Sequence, residues 1–169
     1  MSIPTEVETQ PLLGALGVAL VGVVLEGVLA GRGVRQRLAE VQQPRLAPPL
    51  VLWAVIGLLY YATCFGVAYR LLAAELSTPL HRVAFGLLAL MVVGNAAWNY
   101  TFFRRRDLRL TMGVTVLYAA AAVALAALLL LIDRTAALVM VPYLLYLLYG
   151  VWWSCAIWRL NPPPEATRP

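Results

Sequence analysis

Gly94-Asn95-Ala96-Ala97-Trp98-Asn99-Tyr100-Thr101-Phe102-Phe103-Arg104-Arg105-Arg106-Asp107 sets the class of this chain. It closes a long apolar run that carries two amides and an indole, then meets two phenylalanines and three arginines. An amide inside hydrocarbon must find a partner or lose on the order of several kcal/mol. Asn95 and Asn99, four residues apart, stack on one helix face. The aromatic pair and the arginine triplet mark where hydrocarbon gives way to headgroups and cytoplasm. One segment thus supplies a membrane boundary, an orientation and a polar face turned away from lipid.

Composition points the same way. Of 169 residues, 62% are hydrophobic and only 12% charged, and the mean hydropathy is +0.80. Soluble domains carry about twice that share of charge. All 13 basic residues are arginines. They lie in short loops between apolar runs, so the net charge of +5 reads as membrane topology and not as a nucleic-acid surface. Cys64 and Cys155 fall inside apolar runs and read as free thiols acting as small hydrophobes. With one histidine, His81, a Cys/His metal site is not expected.

Working outward, the expected class is all-α: one five-helix transmembrane domain over 1–169, with spans at about 12–31, 50–73, 82–103, 110–132 and 136–160. Runs of this length match a hydrocarbon core of about 30 Å. The charge before the first run is negative (Glu6, Glu8), so that run reads as a retained span and not a cleaved leader. Its Gly27 and Gly31 form a small-xxx-small pair, expected to pack inside the chain or, alternatively, at a dimer seam. The loop 32–49 contains a candidate short interfacial helix over Val34–Val41, ended by Pro44 and Pro48-Pro49. Span four, rich in alanine and leucine, is assigned no chemistry. Pro162-Pro163-Pro164 ends the last span.

Five spans put the termini on opposite sides. The loops after spans one and three hold Arg32, Arg35, Arg37, Arg45, Arg104, Arg105, Arg106 and Arg109, whereas the other face has mainly Arg82 and Arg134, offset by Glu75 and Asp133. Positive charge favours the cytoplasm, which leaves the N-terminus outside and the C-terminus inside.

That orientation gathers unusual residues in the cytoplasmic half: Glu26, Trp53, the group Asn95, Trp98 and Asn99, then Ser154, Cys155 and Trp158. Intramembrane polar groups usually face a bundle interior or cavity, and an apolar pocket with a few polar groups is the form of a small-molecule site. Each has a plainer reading. Asn95 and Asn99 could only fasten helices. Glu26 is expected to snorkel and pair with Arg32, Arg35 or Arg37, with a ligand or proton role as the alternative. Trp53 and Trp158 read first as interfacial belt residues. Tyr143, Tyr146 and Tyr149 form a stripe expected to serve helix packing. No Ser-His-Asp set, acid-paired histidine or phosphate loop is present.

Asn95-x-x-Trp98-Asn99-x-x-Phe102-Phe103, Val141-Pro142-Tyr143-Leu144 and Trp158-Arg159-Leu160-Asn161 resemble the TspO/MBR family of tryptophan-rich sensory proteins and translocator proteins (peripheral benzodiazepine receptors). Pro44, Pro48-Pro49 and Tyr61 fit that family's first loop and second helix. The resemblance implies a compact five-helix bundle, commonly a homodimer. It implies a pocket open toward the first loop for porphyrins, haem or its breakdown products, and sterol-like or drug-like ligands. No cofactor is required; porphyrin or haem would be a ligand. By position, Asn95, Trp98 and Tyr61 would lie in the bundle interior and Pro48-Pro49 over the pocket. The expected function is a hydrophobic-ligand receptor or sensor in a bacterial or archaeal cell (inner) membrane, with transport or porphyrin degradation as alternatives.

The departures from the family pattern are specific. Arg37-Leu38 stands where the family often has Trp-Tyr, Gly57 and Tyr146 where it usually has tryptophan, Ser154 for a common asparagine and Cys155 for the sterol-motif tyrosine. Fewer indoles argue against photodegradation. Gly57 and Tyr146 would reshape the pocket, and Glu26 would favour a cationic or hydrogen-bonding ligand.

Overall fold

The computed structural model describes residues 9–162. They fold as α1 (Thr9–Ala30), α2 (Val34–Glu40), α3 (Leu50–Ala73), α4 (Pro79–Asn99) running on into a π-helical turn (Tyr100–Arg104), α5 (Leu108–Ile132) and α6 (Arg134–Leu160). Five of these are long and apolar enough to cross a membrane. The acidic Glu6 and Glu8 and most of the Pro162–Pro164 stop lie outside the described residues.

The helix ends follow from side chains that answer the free N–H groups of a first turn. Thr78 accepts from the His81 amide, with Pro79 at the first helical position. Asp107 accepts from the Leu110 amide, and Asp133 from those of Thr135 and Ala136. These caps begin α4 and α6 two to three residues before the apolar runs do, because proline and arginine are sound first-turn residues that hydropathy alone leaves out. Pro49 caps α3, which starts at Leu50 as expected.

The five spans pack in a closed ring of order α1, α3, α6, α5, α4, so α1 touches both α3 and α4. The outer face stays apolar and exposed: Val24, Val28, Leu58, Leu131 and Leu148 all point outward, as a lipid-facing surface must. The main core lies toward the end opposite the first loop. There Cys64, Val67, Ala68 and Leu71 of α3 meet Ala84 and Leu88 of α4, Leu125 and Leu129 of α5, and Ala136 and Met140 of α6, each essentially inaccessible.

The glycine expectation is corrected. A methyl group at Gly27 would meet nothing within 4 Å, and Gly31 (φ +69°) closes α1 instead of packing in it. Close approach occurs at Gly22, where a Cβ would stand 2.6 Å from the Tyr61 ring and 3.1 Å from Val92.

At the first-loop end a second, smaller core joins Val41, Phe102, Trp153 and Ile157, with Leu38, Trp53 and Trp98 against it. The first loop is strapped across this end. Arg37 Nε donates to the Phe102 carbonyl at 3.2 Å. Asn161 exchanges two hydrogen bonds with the backbone of Gln42, and the Tyr149 hydroxyl donates to the Leu46 carbonyl at 2.8 Å. Burial lowers the Arg37 pKa, and nearby Arg106 adds to that while Glu40 opposes it; the guanidinium remains charged at neutral pH.

Candidate ligand-binding site

A cavity of about 300 Å³ opens between the helices beneath this strap. Val34 and Leu38 of α2 and Leu50 of α3 form its mouth; Tyr60, Tyr118 and Tyr143 line its inner end. Between them stand Trp53, Gly57, Trp98, Phe103, Tyr146 and Trp153. Glu26 is the only ionisable acid or base among the lining residues apart from tyrosine.

Glu26 comes from α1, one helical turn beyond Gly22. Because Gly22 lacks a side chain, the Tyr61 ring lies directly on α1 and its hydroxyl reaches Glu26. Tyr61 donates to Glu26 Oε2 at 2.5 Å, and Asn95 Nδ2 donates to the same oxygen at 2.8 Å. Both donors thus converge on one carboxyl oxygen and leave Oε1 without a hydrogen bond among the described residues. The expectation that Glu26 pairs with Arg32, Arg35 or Arg37 is overturned: it enters no ion pair among the described residues, whose carboxylate bridges join Arg37 and Arg106 to Glu40, and Arg70 to Asp133. The helical phase of Glu26 turns it toward Asn95, not toward the loop.

Trp98 lies parallel to Phe102, ring centroids 5.0 Å apart, and its indole N–H donates to Thr115 at 3.0 Å. Thr115 in turn donates to the Thr111 carbonyl, and the Thr111 hydroxyl approaches Thr101 at 3.1 Å. Asn99 donates to the Asn95 carbonyl at 2.9 Å. The π-helical turn follows at once, with Arg105 N–H reaching the Tyr100 carbonyl. Such turns widen a helix and re-aim its carbonyls; here the Phe102 carbonyl is the one Arg37 grips.

Among the described residues the Trp153 indole N–H finds no acceptor, and the Tyr60 hydroxyl is held against Cys64 and Tyr118; both atoms are closed off from the cavity. Tyr60 is 4% and Trp153 1% exposed. A buried donor left unpaired costs about 1–3 kcal/mol.

A family model described as the TspO/MBR family matches residues 15–159. The chain belongs to the TspO/MBR family. It is therefore a multi-pass membrane protein, and its five apolar helices are that family's bundle. No curated protein matches it.

Within this TspO/MBR bundle the cavity gathers Glu26, Trp53, Gly57, Asn95, Trp98, Asn99, Tyr146 and Ser154 of the expected site. Tyr61 stands behind the wall, touching Glu26, and does not line the cavity. Pro44, Pro48 and Pro49 do not line it either; the cover is α2, through Val34 and Leu38, and the prolines shape the chain around it. Trp53 departs from the belt reading: it turns inward against Trp153, with ring centroids 5.1 Å apart, while Trp158 is 43% exposed. Tyr143 and Tyr146 are cavity wall as well as packing.

Span four carries more than expected. Thr115 and Tyr118 of α5 line the cavity of this TspO/MBR protein, and the Tyr118 hydroxyl bonds that of Tyr143. The signal was present as Thr111, Thr115 and Tyr118 at i, i+4 and i+7, one face of an otherwise alanine and leucine helix. Trp153 and Tyr60 were also missed. Each has a like neighbour, Trp152 or Tyr61, and only helix phase decides which of the two turns in.

Proposed function

We propose that this TspO/MBR protein is a membrane receptor or sensor that binds a hydrophobic small molecule, of the porphyrin or haem-type tetrapyrrole class, through a pocket open toward the cytoplasmic first-loop side. The observation that carries it is the cavity itself, walled by the rings of Trp53, Trp98, Phe103 and Tyr146 and covered by α2 through Val34 and Leu38. Mostly apolar, ring-lined pockets with a few polar groups are the usual form of small-molecule sites, and the flat body of a macrocycle would stack between these rings.

Size constrains the pose. A cavity of about 300 Å³ sits at the small end of ligand sites, which span roughly 300–1,000 Å³. A macrocycle therefore enters edge-first and leaves its carboxylate edge at the mouth. There Arg32 and Arg35 are exposed and unbridged to any carboxylate among the described residues. Sensing or receptor activity would follow if occupancy shifts the strap formed by α2 and its contacts to α6.

The test is titration of detergent-purified protein with protoporphyrin IX and haem, read by tryptophan quenching and the porphyrin absorption band. Saturable one-site binding is expected, weakened roughly 2- to 10-fold in Trp98→Leu, the loss of one ring from the wall. Uptake no greater than that of empty micelles would overturn the proposal.

A further inference from the structure

We propose that the same cavity selects hydrophobic organic cations, an ammonium-type group on an apolar body, with the charge seated between Glu26 and the aromatic wall. This goes beyond the tetrapyrrole reading and shares with it only the premise that the cavity is a ligand site.

Three observations converge. First, Glu26 holds its carboxylate at the cavity with both protein donors, Tyr61 and Asn95, on Oε2; Oε1 receives no hydrogen bond from the protein among the described residues. Second, no arginine among the described residues neutralises it. The first-loop arginine nearest in role, Arg37, is committed to the Phe102 carbonyl and to Glu40. A carboxylate within a low-dielectric bundle is costly unless a positive charge faces it. Third, the remaining wall is aromatic, including Trp53, Tyr60, Trp98 and Tyr146. Ring faces attract cations, most strongly where water is excluded, and a cage of rings is the recurrent receptor for alkylated ammonium groups. Tyr61 and Asn95 hold the acid in place, so the ligand does not have to order it.

An inorganic cation fits less well. The described residues contain no cluster of three metal-ligating acids, histidines or cysteines, and hard cations require six or more oxygens. An organic cation asks only for one carboxylate and ring faces.

A matched pair of probes isolates the charge: radiolabelled (1-naphthylmethyl)trimethylammonium and its carbon isostere 1-neopentylnaphthalene, dialysed to equilibrium against full-length protein in micelles and against empty micelles. The cation is expected to bind about tenfold or more tighter than the isostere, and in Glu26→Gln that preference should shrink severalfold, to what the ring faces alone supply. Equal affinities in the parent protein would overturn the proposal, and that comparison needs no variant. A preference undiminished in Glu26→Gln would overturn it too, by moving the charge recognition away from the acid. If protoporphyrin IX binds saturably and neither naphthyl probe displaces it, the cation inference fails and the tetrapyrrole reading stands. If none of the three binds above micelle partitioning, both fail.

Discussion

The two ends of this bundle are built on opposite principles. At the end away from the first loop, α3, α4, α5 and α6 meet through small and aliphatic side chains with no accessible surface, such as Ala68, Leu88, Leu129 and Ala136. Its connections are short, and its one ion pair among the described residues is the two-pronged grip of Arg70 on Asp133, at 2.8 and 3.1 Å. At the first-loop end the same helices surround a cavity lined by rings, two asparagines and one acid. A long loop must be tied over it at several points. Close packing holds the helices together at one end and lets the other stay open without falling apart. Optimal packing and an available site do not coincide in the same layer of the molecule.

The largest effect should come from damaging the packed end. Leu129→Ala removes a fully buried side chain. In a soluble core that change costs 2–5 kcal/mol, from lost transfer energy plus the cavity left behind. Within a bilayer the unfolded helix keeps its leucine in hydrocarbon, so the transfer part largely vanishes and the packing part stays. A loss of about 2 kcal/mol is expected, the low end of that range, read as a lowered Tm in detergent. Probe affinity should be unchanged once the measurement is made well below the new Tm. A Leu129→Ala protein that unfolds normally but loses ligand would show that the two ends are not separable.

Asp133 tests the same end by a smaller amount. It caps α6 through the Thr135 and Ala136 amides while holding Arg70. Burial tends to raise its pKa, but Arg70 and those amides outweigh it and hold the carboxyl below its ordinary 3.8. A folded pKa below the unfolded one means the stabilisation is complete above the unfolded value and is lost as pH falls through the folded one. The contribution of Asp133 to Tm should therefore not vary with pH near neutrality, and it should be lost on acidification below about pH 4. Asp133→Ala should cost about 1 kcal/mol at pH 7, mostly as a lost cap, since the partly exposed ion pair adds little. Asp133→Asn, which keeps a capping oxygen, should cost less and should remove this part of the acid sensitivity. Equal losses in Ala and Asn would assign the effect to the ion pair instead.

The difference between the ends also explains what could be read in the sequence. Five apolar runs between arginine loops suffice for five spans, and the proline loop with its Val34–Glu40 helix was legible because proline and charge punctuate it. Asn95, Trp98 and Asn99 stood out because polar groups are rare in hydrocarbon. The partner of Glu26 was not legible. Whether it turns to the loop arginines or to Asn95 depends on α1 lying between α3 and α4, a property of ring order that no local pattern carries. The same holds for Gly22 over Gly27, and for Trp153 over Trp152. Thr115 and Tyr118 were legible in principle, as a polar face on α5, but an alanine and leucine background made that face look like filler.

Gly57 gives the smallest effect and the sharpest contrast, because it is a gap in the open end that the packed end would never tolerate. It lies within α3 and lines the cavity, yet a methyl group there would meet nothing within 4 Å. A helix-interior glycine costs about 0.5–1 kcal/mol relative to alanine. Gly57→Ala should therefore raise stability by up to that amount, with no clash to offset it. Gly66, in the same helix but facing Val139 at 3.1 Å, should gain less from the same change, or lose. The pair is compared by Tm in one detergent. Gly57→Trp then extends the logic from stability to function: an indole projecting from this position fills space the cavity now leaves free, so the protein should still fold while saturable ligand uptake falls. A Gly57→Trp variant that folds and binds as before would mean that ligand does not occupy the space beside Gly57, and that the open end is loosely packed without being a site.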